Sequence, residues 1–177
     1  MENERQWPRL RNTGCDFARR AHPALYNAPM RAVVQRVSRA EVIVAGKSVG
    51  RIGPGFAVLL GVARDDTRAD ADFIADRIVG LRLFADEAGK MNQALGAVGG
   101  ELLVISQFTL LAETSAGRRP SFIHAAPPEI ARPLYEYFLS LARARGVKVE
   151  TGEFGAHMEL ELVNDGPVTI ILDSRIR

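Results

Sequence analysis

The segment Gly100-Glu101-Leu102-Leu103-Val104-Ile105-Ser106-Gln107-Phe108-Thr109-Leu110-Leu111 (GELLVISQFTLL) sets three polar side chains into an otherwise apolar run. Strands buried on both faces read as near-continuous apolar residues, so the segment predicts a central strand over about 101–111. Ser106, Gln107 and Thr109 then each need a hydrogen-bond partner or a chemical role. A role in nucleophilic catalysis requires a base within reach and a group to orient it. The chain offers only three histidines, His22, His124 and His157, and one cysteine, Cys15.

Outward from this segment the pattern stays regular. On its N-terminal side FAVLLGV (56–62) is apolar throughout and reads as a second central strand, preceded by the break Gly53-Pro54-Gly55. RAVVQRV (31–37) and AEVIVAG (40–46) alternate and are β-branched, and a turn at Ala45-Gly46-Lys47 leads into SVGRIG, a hairpin meander. Asp65, Asp66 and Thr67 offer N-caps to a helix over about 68–81, with Phe73, Ile74, Ile78 and Leu81 on one face. LRLF (81–84) reads as a short strand closed by the turn Asp86-Glu87-Ala88-Gly89.

On the C-terminal side a second helix is predicted to start near Pro127-Pro128-Glu129, with Ile130, Leu134, Phe138 and Leu141 at helical spacing and Gly146 as its stop. Pro133 is tolerable there only within the first turn. Strands are expected at about 147–151, 157–163 and 168–172. So many adjacent strands among only two helices argue for one α+β domain with mixed and antiparallel strands.

Composition narrows the function classes. The chain has 177 residues, 47% hydrophobic and 25% charged, enough for one ordinary globular domain. Residues 1–29 carry five arginines against Glu2, Glu4 and Asp16, with three prolines and no periodicity. They read as a disordered leader without a secretory signal, with Met30 as the alternative first residue. Beyond the leader, acidic and basic residues balance, so no broad basic face supplies non-specific nucleic-acid affinity. Nothing approaches 18 uninterrupted apolar residues, and Cys15 has no partner for a disulfide, so no membrane span and a reducing, cytoplasmic setting are expected.

No phosphate-cradling glycine motif follows a strand, and the carboxylates at Asp65, Asp66, Asp70, Asp72 and Asp76 suit a solvated helix start better than a metal, so neither cofactor nor metal is expected. Ser106 lacks a G-x-S-x-G elbow, and a Ser106–His124 dyad is the pairing a serine hydrolase would need. GRRPSF (117–122) joins Arg118 and Arg119 to a proline turn and Phe122, a set able to hold a phosphate beside a stacking ring or simply to form a charged loop. NDGPVT (164–169) is strong turn chemistry, readable as a hairpin turn.

The combination of Ser106-Gln107-Phe108-Thr109-Leu110 with Asn164-Asp165-Gly166-Pro167-Val168-Thr169 resembles the two signature motifs of the D-aminoacyl-tRNA deacylase family. QRV (35–37), GKMN (89–92), GRRPSF (117–122) and TGEFGAHM (151–158) follow in that family's order, and the likeness spans Met30 to about Asp173. It implies a barrel-like sandwich of β-sheets with two main helices, a homodimer, and hydrolysis of the ester joining a D-amino acid or glycine to the terminal adenosine of tRNA. Ser106, Gln107, Phe108 and Thr109 would form the catalytic floor, with the adenosine's own 2′-hydroxyl sharing the chemistry. Gly166 and Pro167 would enter the partner's pocket as a Gly-cisPro corner that rejects L-amino acids. Arg36 would hold that corner inward, and Phe154, Met158, Arg118 and Arg119 would bind substrate. His157 stands where the family pattern leads one to expect an acid, and His124 where a small or acidic residue is commoner. A non-catalytic module that binds the tRNA end is the alternative of a different class.

Overall fold

The computed structural model describes residues 29–176, so the leader at 1–29 lies outside the described residues except for its last one. In chain order the strands and α-helices are β1 (Arg31–Val44), β2 (Lys47–Ile52), β3 (Gly55–Gly61), α1 (Arg68–Gly80), β4 (Phe84–Ala85), β5 (Met91–Gln93), β6 (Glu101–Ser106), α2 (Pro128–Ala144), β7 (Val149–Thr151) and β8 (Glu159–Asp173). Four-residue 3-10 turns at Leu95–Val98 and Phe108–Leu111 flank β6.

β1 organises the sheet. Along one edge its first half pairs antiparallel with β3, Arg31 opposite Gly61 through Val37 opposite Gly55, and its second half pairs with β2, Ala40 opposite Ile52 through Val44 opposite Lys47. The opposite edge carries β8, from Arg31 opposite Asp173 to Ile43 opposite Glu159. β3, β6 and β7 run parallel to one another, so the sheet is mixed, ordered β2-β1-β3-β6-β7 with β8 beside β1. A strand shared in this way must bend. Its buried side chains switch parity, from Ala32 and Val34 to Val37 and then Ala40 and Val42, across the register shifts near Gln35–Arg39. The bend brings β2 back against β7. A Cβ on Gly50 would sit 2.3 Å from the Thr151 carbonyl oxygen, so only a glycine permits this closure into a nearly complete barrel.

The two faces of the sheet carry two cores. Val34, Phe56, Val58, Leu102 and Val104 pack on the helices through Ile74, Ile78 and Phe138. Val42, Ile52, Ala57, Leu103 and Ile105 fill the other side, where the curled sheet covers itself. Thr67 caps α1: its backbone N–H and its hydroxyl both donate to Asp70 at 2.9 Å.

Several expectations need correction. The strand read as 101–111 stops at Ser106, and the chain turns into the 3-10 helix. Of LRLF only Phe84 enters a strand, the two-residue β4. The segments read as two strands, 157–163 and 168–172, are one strand, because both pair with β1. Pro133 lies in the second turn of α2, not the first, on an exposed face where water can serve the Glu129 carbonyl left without a donor. The inward stripe of α2 is Tyr135, Phe138, Leu139 and Ala142, while Ile130 is 39% exposed.

Candidate active site

β3 and β6 end side by side, Leu60 opposite Ser106, and the N–H of Gln107 donates to the Leu60 carbonyl at 2.8 Å. This last bond pins the chain as it leaves the strand, and Gln107 (φ −141°, ψ 78°) turns it into Phe108–Leu111. The Gln107 side-chain amide donates to Thr109 Oγ1 at 2.5 Å, and the Arg31 guanidinium donates to the Leu110 carbonyl at 2.8 Å, which ties the turn to β1. In such a turn the first N–H groups have no intrahelical acceptor and face outward.

Beyond the carboxyl ends of these parallel strands, the usual place for a ligand in such a sheet, lies a cavity of about 500 Å³. Its floor is Ile105, Ser106, Gln107 and Phe108, its roof is the first turns of α2 through Tyr135, and its far wall is the segment 154–158. Tyr135 donates its hydroxyl to the Val104 carbonyl at 2.8 Å, and its burial pushes its pKa up, so it stays a neutral fixed donor. The Phe154 ring packs 5.7 Å from the Tyr135 ring, centroid to centroid, and the Arg132 guanidinium lies over the Phe154 ring, 4.9 Å from its centroid. Met158 is seated on Gly152, where an added Cβ would come within 2.4 Å of its sulfur.

The cavity wall is mostly apolar and holds no carboxylate. Ser106 makes no side-chain hydrogen bond to His157, the one lining histidine, and His124 is not among the lining residues. His124 instead lies near Glu113, whose carboxyl is held below its ordinary pKa by hydrogen bonds from Ser115 and by the histidine's charge.

The second motif is not a hairpin turn. Gln35 pairs with Thr169 and Val37 with Asn164, so four residues of β8, Asp165–Val168, bulge out opposite the single residue Arg36. The Arg36 Nε donates to the Asp165 carbonyl at 3.1 Å and lies 3.1 Å from its carboxylate, while Nη1 donates to the Leu83 carbonyl. Asn164 closes the bulge from within, its Oδ1 accepting the Val168 N–H at 2.8 Å. Gly166 has φ +132° and its bond to Pro167 is cis.

The structure therefore gathers Ser106, Gln107, Phe108, Phe154 and Met158 around one cavity, and Arg36, Gly166 and Pro167 around one corner. The corner does not line the cavity of its own chain, and neither do Thr109, Arg118 and Arg119. The two arginines sit on an exposed loop closed by paired hydrogen bonds between Glu113 and Ser121, both 2.8 Å. That loop leans on the cavity rim through Phe122, whose ring meets Phe108 edge-on at 5.1 Å. Tyr135 escaped the sequence reading. A tyrosine in an apolar helical stripe, needing a partner for its hydroxyl, was the available signal.

Away from the cavity, Asp66 is a buried acid that accepts the N–H groups of Ala63 (2.6 Å) and Met30 (3.0 Å) beside Arg175. Burial and the neighbouring Asp70 push its pKa up to about 7 against those contacts. Among the described residues no helix is long and apolar enough to cross a membrane, and no group of His, Cys, Asp and Glu could hold a metal ion.

Residues 33–173 match the sequence family described as D-Tyr-tRNA(Tyr) deacylase. A D-aminoacyl-tRNA deacylase of Dehalococcoides mccartyi is 61% identical over 148 residues, 84% of this chain and 97% of the relative. One from Symbiobacterium thermophilum is 59% identical over 145 residues, 82% of this chain and 96% of the relative. Among solved structures, one described as a c-Myc DNA unwinding element binding protein superposes with TM-score 0.75 at 40% identity, covering 81% of this chain and 98% of that one. Another, a probable eukaryotic D-amino acid tRNA deacylase, gives TM-score 0.73 at 20% identity over the same shares, a likeness of fold. With residues 33–173 matched and relatives of nearly equal length at about 60% identity, this chain belongs to the D-aminoacyl-tRNA deacylase family.

Proposed function

We propose that this protein hydrolyses the ester between a D-amino acid, or glycine, and the 3′-terminal adenosine of tRNA, acting as a cytoplasmic homodimer. The observation that carries this reading, beyond family membership, is a preformed cavity without a nucleophile–base pair. Ester cleavage there has to come from orientation and from main-chain donors. Ser106, Gln107 and Phe108 form the floor, and the first N–H groups of the turn at Phe108–Leu111, which have no acceptor within the turn, would stabilise developing charge on the carbonyl oxygen. Phe154 and Met158 supply apolar area for the adenosine. Water adds to the ester carbonyl, and the substrate's own 2′-hydroxyl relays a proton from that water to the departing 3′-oxygen, giving the free amino acid and the 3′-hydroxyl of the tRNA.

What supports the dimer is the corner. Gly166 and Pro167 do not line their own cavity, and Arg36 anchors the preceding Asp165 with two contacts while a third ties the guanidinium to the Leu83 carbonyl. A rigid carbonyl of this kind, lent to a second copy, clashes with the side chain of an L-amino acid and spares a D one; about 1.4 kcal/mol of clash gives tenfold discrimination. Glycine has no side chain to reject. β8 also has a long outer edge that no described strand covers, carrying Val163 at 38% and Ile171 at 69% exposure. Such an edge is ordinarily covered by a partner.

The exposed Phe108, backed edge-on by the half-buried Phe122 of the loop that carries Arg118 and Arg119, favours contact with an RNA end, which a non-catalytic binder would share. Incubating the purified protein with D-Tyr-tRNA and L-Tyr-tRNA separates the readings. An enzyme releases D-tyrosine and leaves the L ester intact, whereas a binder protects both. Light scattering on the same sample should give twice the chain mass.

A further inference from the structure

We propose that Arg132 and His157 form an anion cleat on the Phe154 side of the cavity mouth, and that it holds the phosphodiester leading into the terminal adenosine. The inference rests on the reading of the cavity as an adenosine ester site. The Arg132 guanidinium lies over the Phe154 ring, 4.9 Å from its centroid, with the ring itself part of the cavity wall. A guanidinium over a ring still offers N–H donors, which can meet two phosphate oxygens at once. His157 lies three residues past Phe154, is exposed, and is the one cavity-lining side chain able to carry positive charge.

Among the described residues neither forms a salt bridge, although Glu129 and Glu136 on α2 and Glu153 and Glu159 in the adjoining segment are near in sequence. A guanidinium and an exposed imidazole at a rim, with no ion pair to a described residue, suit an external anion. A nucleotide whose ester rests on Ser106–Phe108 must carry its 5′ phosphate out through this mouth. Two walls could receive it, the loop of Arg118 and Arg119 beyond Phe108 or the Phe154 wall. The Phe154 wall puts His157 on the cavity lining and stacks Arg132 on a lining ring, whereas neither loop arginine lines the cavity or stacks on a lining ring.

The test is equilibrium binding of the trinucleotide CCA and of adenosine to the full chain, across a salt series. Arg132→Gln and His157→Gln should each weaken trinucleotide binding by about three- to fivefold, and Arg132→Gln should lower the salt slope by about 0.7. Adenosine affinity should change less than half as much. His157→Arg should restore or tighten trinucleotide binding, which a purely structural role for the imidazole does not predict. Equal losses for both ligands, or a slope that survives both glutamine variants but vanishes in Arg119→Gln, would overturn the cleat. If the cleat behaves as stated and D-aminoacyl-tRNA is not hydrolysed, the deacylase reading alone fails. If hydrolysis proceeds and the slope is unmoved, the cleat alone fails.

Discussion

Replacing Gly166 by alanine tests how the corner is held. At φ +132° an L side chain costs roughly 1–3 kcal/mol in backbone energy. The new Cβ would also lie 2.7 Å from Val168 Cγ2, 3.0 Å from the Val168 nitrogen and 3.2 Å from Arg36 Nη2. The valine methyl can rotate away, but the Val168 N–H is bonded to Asn164 and the guanidinium is tied to Leu83 and Asp165, so the backbone has little room to yield. Retaining the bulge would then cost about 2–4 kcal/mol, a fall in melting temperature of about 6–12 °C for a domain of this size. If the bulge rearranges instead, stability recovers and specificity is lost. Calorimetry together with deacylation of D- and L-Tyr-tRNA covers both cases. The expected result is either the drop in melting temperature or a change of at least about tenfold in the ratio of D to L rates. A variant that melts within about 1 °C of the parent and keeps both rates would show that neither the glycine nor the corner matters as described.

Three further outcomes are expected. Ser106→Ala and His124→Ala should each keep deacylation within about threefold of the parent, since losses of the size seen on removing a member of a true triad, roughly a thousandfold or more, require a charge-relay pair that the cavity lacks. Gly50→Ala should lower the urea midpoint by the equivalent of at least about 3 kcal/mol, because its Cβ would meet backbone atoms of Thr151 and the barrel seam would have to open; an unchanged midpoint would mean that β2 and β7 are not in contact. Asp66 should make stability fall as pH rises from about 4 to 7. Its folded pKa of about 7 exceeds the ordinary 3.8, so in that window the native state holds a proton that the unfolded chain has released. Urea midpoints across that range should show a flatter profile for Asp66→Asn than for the parent, and identical profiles would refute the assignment.

The elements most legible in the sequence were those whose apolar period is local: β1, β3, the core of β6 and both helices. Phe108–Leu111 was taken for strand because an apolar run looks the same in a strand and in a tight turn. What ends β6 is a long-range bond from Gln107 to Leu60, invisible to any window. Asn164–Pro167 carries genuine turn chemistry, yet the ladder to β1 on both sides makes it a bulge within one strand. The stripe on α2 was misplaced by about one residue because Ile130 is more apolar than Tyr135, and burial here follows a hydroxyl that finds the Val104 carbonyl. The motif residues were legible by resemblance, but their division into a cavity and a corner that do not meet within one chain depends on tertiary placement.

The shared strand β1 has an implication for how such a protein can change. Arg36, the clamp of the corner, lies within the strand whose neighbours on both edges hold the barrel together. On the proposed reading of the corner, selectivity and folding draw on the same few residues. A substitution that retunes the corner is therefore also felt by the scaffold.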